Sequence, residues 1–107
     1  MTITEKQIEV MESLDWRIHD GGEDIEIENY SPAGEDLVFT LYGETLLEAV
    51  TELYESYDAE EHAELWIGSR GKNGVPGSIR ELLDDADSIE EMLRELAVAI
   101  EEVEKNV

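Results

Sequence analysis

Asp24-Ile25-Glu26-Ile27-Glu28 alternates acid and isoleucine at every step. A period of two belongs to a β-strand, whose side chains leave on opposite faces. The isoleucines therefore face a core and the three acids face away from it. Trp16-Arg17-Ile18-His19-Asp20 alternates before it, and Gly21-Gly22 between the two stretches signals a hairpin turn. On the other side, Ser31-Pro32-Ala33-Gly34-Glu35-Asp36 reads as a loop. Leu37-Val38-Phe39-Thr40-Leu41-Tyr42 follows as a third strand, with Leu37, Phe39 and Leu41 inward and Gly43 ending it. Three consecutive strands with short connections predict an antiparallel meander.

Helices are predicted on both flanks of the meander. Five places carry a capping box, in which a Ser, Thr or Asp side chain accepts the backbone N–H three residues on. They are Thr4 with Gln7, Thr45 with Glu48, Asp58 with Glu61, Ser78 with Glu81 and Ser88 with Glu91. Helical spacing of apolar residues predicts helices over about 5–14, 46–57, 59–69, a short one from 79, and one from 89 to about 103. The expected inner stripes are Leu46, Val50, Leu53 and Tyr57; His62, Leu65, Trp66 and Ser69; Ile79, Leu82, Leu83 and Ala86; and Ile89, Met92, Leu93, Leu96, Ile100 and Val103. The fold class that follows is α+β: one domain over 1–107, a three-stranded antiparallel sheet with helices packed on one face, in the order α-β-β-β-α-α-α-α.

The 107 residues carry 29 acids against 7 Lys+Arg, a formal net charge of −22. Direct binding of nucleic acid or of an anionic membrane requires the opposite sign. Helix, three strands, helix is also the order of double-stranded-RNA-binding domains, but the basic contacts those domains need are missing here. There is no cysteine, which excludes disulfides, thiolate metal sites and cysteine nucleophiles. No apolar run approaches a membrane span. The opening Met-Thr-Ile-Thr-Glu-Lys-Gln has no basic stretch followed by an apolar core, so no signal peptide is expected and a cytoplasmic soluble protein is.

Three features could carry function. The acidic stripes are the most distinctive: Asp24, Glu26 and Glu28 on the strand, and Glu44, Glu48, Glu52 and Glu55 down one side of the second helix. Their repeats, about 6.7 Å on a strand and about 6 Å on a helix, are of the order of successive phosphate separations. A second feature is Gly68 to Gly77, glycine-rich and basic, without Walker spacing. With Arg70, Lys72 and Arg80 it leads into a capped helix start, where an anion can be held. The third is the pair of histidines, His19 and His62, neither in a catalytic motif; His62 is expected to pack beside Trp66, one turn on. Asp84, Asp85 and Asp87 lack an EF-hand pattern, so no metal or other cofactor is expected.

Tyr30-Ser-Pro-Ala-Gly-Glu-Asp-Leu-Val-Phe39 and Pro76-Gly-Ser-Ile-Arg-Glu-Leu-Leu-Asp-Asp-Ala86 resemble stretches of small acidic proteins of Firmicutes bacteria and their phages or mobile elements. The resemblance implies a mobile-element accessory protein, a setting where acidic inhibitors of DNA-binding enzymes occur, and it carries over no catalytic residue. The expectation is a non-enzymatic interaction domain, acting as an acidic nucleic-acid mimic on a basic partner protein. The alternatives are a small-anion module built on Arg70, Lys72 and Arg80, or an acidic domain without a charged partner.

A charge of −22 on so short a chain makes the compact state self-repulsive. Few cations are available to pair, with Glu90–Arg94 and Glu101–Lys105 the helical pairs expected. Screening should therefore stabilise the fold, and the melting temperature should rise as sodium chloride goes from low to physiological strength. A melting temperature that stays flat or falls would mean that the acids are locally compensated.

Overall fold

The computed structural model describes residues 1–21, 24–70 and 75–105. Helix α1 (Glu5–Ser13) leads into β1 (Arg17–Asp20), β2 (Ile25–Tyr30) and β3 (Asp36–Leu41). Then come α2 (Leu46–Ser56), α3 (Ala59–Trp66), a 3-10 turn (Ile67–Ser69) and α4 (Ile79–Lys105). The strands form one antiparallel sheet in the order β1-β2-β3. The predicted α+β class is therefore found, and the predicted element order is matched with the 3-10 turn counted as a helix. Of the predicted Gly21-Gly22 turn, Gly22 lies outside the described residues, while the Gly21 N–H donates to the Asp24 carbonyl at 2.9 Å.

Register follows the alternation. Ile27 stands between Ile18 on β1 and Phe39 on β3, and Ile25 pairs with Leu41. These residues and Leu37 cover the sheet's inner face. They share one buried cluster with Met11, Trp16, α2 residues Leu46, Ala49 and Val50, and α4 residues Ile89, Leu93, Leu96, Ala97 and Ile100. Each fully buried aliphatic side chain contributes about 1.5–3 kcal/mol. A smaller second cluster joins Ala63 of α3, Val75, and Leu82 and Ala86 of α4.

Local signals fix the helix ends. Thr4 and Gln7 make both bonds of a capping box, at 2.9 and 3.2 Å. Thr45, Asp58 and Ser78 each accept the N–H three residues on. The end of α1 carries no glycine. Asp15 takes a left-handed φ of 67° there, its N–H donating to the Glu12 carbonyl and that of Trp16 to Met11. This is a Schellman motif, and the two residues at its ends, Met11 and Trp16, both lie in the core.

Two predicted stripes differ from the structure. In α3 the buried residue is Ala63, while Leu65 is 74% exposed and Trp66 36%. Ala63 lies where the helix meets α4, and small residues let helices approach closely. In the last region, the two predicted helices are one of 27 residues. Its buried face runs Leu82, Asp85, Ala86, Ile89, Leu93, Leu96, Ala97, Ile100 without a change of phase, leaving Ile79 and Leu83 exposed. The polar run Asp84–Ser88 resembles a helix boundary in the sequence because one of its acids, Asp85, occupies a core position.

Ser88 therefore sits inside α4, where its hydroxyl donates to the Asp84 carbonyl at 3.0 Å instead of capping. Ser88→Ala should raise stability by about 0.5 kcal/mol, the helix-propensity gain. At a true cap the same change would cost about 1 kcal/mol, as Thr4→Ala should. Urea titrations of both variants give the two signs, and a loss on Ser88→Ala would restore a helix start there.

Candidate functional site

The acidic stripes fall on two different layers. Glu26 and Glu28 leave the sheet on the face opposite the helices, with Asp24 exposed just before β2. In α2 the buried residues are Leu46, Ala49 and Val50, so exposed Glu48, Glu52 and Glu55 point off the helical layer, with Glu44 exposed just before it. The structure does not bring the two stripes together on one face. Glu48 is also partly engaged, its carboxylate accepting the Glu44 N–H at 3.2 Å.

The outer sheet face is a grid fixed by register. Arg17 and Val38 flank Glu28, His19 and Thr40 flank Glu26, and Asp36 stands across from Tyr30. The Arg17 guanidinium contacts Glu28 at 2.5 Å and lies over the Tyr30 ring, 5.0 Å from its centroid. The hydrogen bond to Tyr30, and less strongly the Glu28 charge, hold the Arg17 pKa above its ordinary value against a desolvation that lowers it. On α4, Arg94 pairs with Glu91, not with the expected Glu90, because the three-residue spacing aligns its fork with both carboxylate oxygens. That contact lowers the Glu91 pKa. The Glu101–Lys105 pair is found at 3.2 Å.

The basic segment does not assemble into an anion cradle among the described residues. Arg70 donates through Nε to the Ile67 carbonyl at 3.1 Å, closing its own turn. Arg80 is exposed in the first turn of α4, and the Ser78 hydroxyl already accepts the Glu81 N–H there. Lys72 lies outside the described residues.

A buried polar cluster went unread in the sequence. The loop between β2 and β3 turns at Ser31–Gly34, where Gly34 adopts a φ of 94° and its N–H donates to the Ser31 carbonyl at 2.8 Å. This turn buries Glu35 to 3% exposure. Both Glu35 carboxylate oxygens lie against His62 Nε2, at 3.0 and 3.1 Å. On its other side the loop is held by Asp85, 6% exposed, whose Oδ1 accepts the Ala33 N–H at 3.0 Å. Asp85 Oδ2 is buried without a hydrogen-bond partner. The His62 ring also packs against Tyr57 at 5.6 Å and, as the sequence predicts, against Trp66 at 6.3 Å. The pair clamps the loop to α3 while Asp85 clamps it to α4. The signal available in the sequence was Asp85 in phase with Leu82 and Ile89.

No described group of three or more histidine and acidic side chains is arranged to hold a metal ion. No described helix is long and apolar enough to cross a membrane. No family model, no curated protein and no solved structure matches the chain.

Tyr57 feels the buried acids. Its hydroxyl donates to the Ala86 carbonyl at 3.4 Å. Burial first, then the charges of Glu35, Asp85, Glu90 and Asp87, raise its pKa far above the ordinary phenol value. The neutral phenol is thus favoured in the fold, while an unfolded tyrosine ionises near pH 10. Stability from this group is fully present below about pH 10 and is lost as pH climbs above it, because the folded state then holds the extra proton. Tyr57→Phe, which cannot ionise, should lose less stability than the wild type between pH 9 and pH 11 in denaturant titrations. Equal losses would mean that the phenol is not held neutral.

Proposed function

We propose that this protein is a non-enzymatic interaction domain that binds a basic, nucleic-acid-binding protein in place of its nucleic acid. The observation that carries this reading is charge matched to shape. The molecule extends 44 × 26 × 22 Å. A duplex of that length presents about 26 phosphate charges, at one per 1.7 Å, against a net 22 here. The acids stand on outward faces of both layers, so the field surrounds the molecule as it does a duplex. A small-anion module has less support, since Arg70 closes its own turn. A cytoplasmic setting and a mobile-element origin belong to the same proposal.

The test immobilises the protein, exposes it to bacterial extract, and elutes with a sodium chloride gradient. A partner that fits is retained at low salt, loses about tenfold or more in affinity by physiological salt, and is displaced by duplex DNA. Replacing Glu26, Glu48 and Glu52 with Gln weakens retention while circular dichroism stays unchanged. Retention that is insensitive to salt, to DNA and to these substitutions would overturn the reading.

A further inference from the structure

Acids cover both layers, and two acidic surfaces also expose an aromatic ring and an aliphatic side chain: α3, with Leu65 and Trp66 beside Glu61 and Glu64, and the outer sheet face, where a guanidinium already lies over the ring. On the outer sheet face Tyr30 is 52% exposed and Val38 is 50% exposed. No residue of α2 is among the large exposed hydrophobics. Interfaces draw their energy from aromatic anchors such as tyrosine more than from rim charges, which contribute mainly to encounter rate. The acids on this face are Glu26, Glu28 and Asp36, against one arginine, so a cationic occupant is complementary to it.

Arg17 shows how the face accommodates a guanidinium. Its Cζ lies over Tyr30 while its nitrogen meets Glu28, one contact from an aromatic and one from a carboxylate. On the β3 side of the same ring a second carboxylate is available, since Asp36 stands directly across from Tyr30 and Val38 directly across from Glu28. A planar, forked guanidinium uses both elements at once; an ammonium is a compact, strongly hydrated point charge that stacks poorly.

Resting on the decoy reading above, we propose that the outer face of the sheet is where the basic partner docks, and that it selects arginine over lysine. The incoming guanidinium stacks at Tyr30 and pairs with Asp36, and its aliphatic stem covers Val38. The acids of α2 then act at a distance, by steering.

The experiment titrates the full, isotope-labelled chain with octa-arginine and with octa-lysine at one fixed salt concentration, then repeats both at high salt. Octa-arginine is expected to bind about two- to five-fold tighter than octa-lysine, the size of one exposed cation–π contact. Amide shifts should centre on Arg17, Glu28, Tyr30, Asp36 and Val38. Tyr30→Leu should abolish the preference while leaving octa-lysine binding in place. Asp36→Asn, an exposed isosteric change, serves as the second variant and should reduce the preference in the same direction. Equal affinities in the wild type, or shifts centred on Glu48, Glu52 and Glu55, would overturn the sheet-face proposal; salt-sensitive binding of both peptides would leave the decoy reading standing. An arginine preference at Tyr30 that persists at high salt would uphold the sheet face and count against the decoy. Failure of both peptides to bind at the lower salt concentration overturns both.

Discussion

One face of α4, from Leu82 to Ile100, is the surface on which the other elements assemble. Its first two turns, with Leu82 and Ala86, close the small cluster against α3. Its later turns, from Ile89 to Ile100, meet α2 and the sheet's inner face in the main core. A helix of 27 residues is about 40 Å long, and this accounts for the 44 Å long axis of the molecule. The two clusters share a helix, and Asp85 stands in the stretch of the small one, between Leu82 and Ala86, where a hydrophobic residue would be expected. It accepts the Ala33 N–H there, which fixes the β2–β3 loop that in turn brings Glu35 to His62.

That placement separates two kinds of acid. Glu35 and Asp85 are buried and hold parts of the chain together. Nearly all the rest stand on outer faces, where water and salt screen them. Acids four apart on α2 repel by a few tenths of a kcal/mol per pair, a cost that the apolar side of the helix offsets through Leu46, Ala49 and Val50. The negative surface is therefore carried by the core, and its acids act locally, as Asp58 does at its helix cap and Glu28 beside Arg17.

The meander was legible because one sheet face is buried and the other exposed, and Asp24–Glu28 records that contrast at every position. Caps at Thr4, Thr45, Asp58 and Ser78 were legible for a related reason: each bond closes within three residues. What could not be read depends on distant parts of the chain. Asp85 looks like part of a boundary until Ala33, far away in sequence, supplies its N–H. Ala63 looks too small to be an anchor until the close approach of α3 to α4 makes small size the requirement. Asp15 in a left-handed conformation breaks the usual preference for glycine, while Met11 and Trp16 at the ends of its motif are both in the core. Of the candidate site, the outward placement of the acids of both stripes was legible from spacing alone. The exposed Tyr30 and Val38 beside them follow from the same alternation, since Val38 must point opposite to Leu37 and Phe39.

The division of the interior also gives the protein two optical reporters. Trp16 is 2% exposed and sits in the main core, while Trp66 is 36% exposed at the end of α3. An indole in a dry environment emits to the blue of one in contact with water. Trp16 thus responds to the sheet layer coming apart, and Trp66 to α3 lifting from α4. If the small cluster opens before the large one, the two indoles change in sequence, and single-tryptophan variants resolve the order in which α4 releases its neighbours.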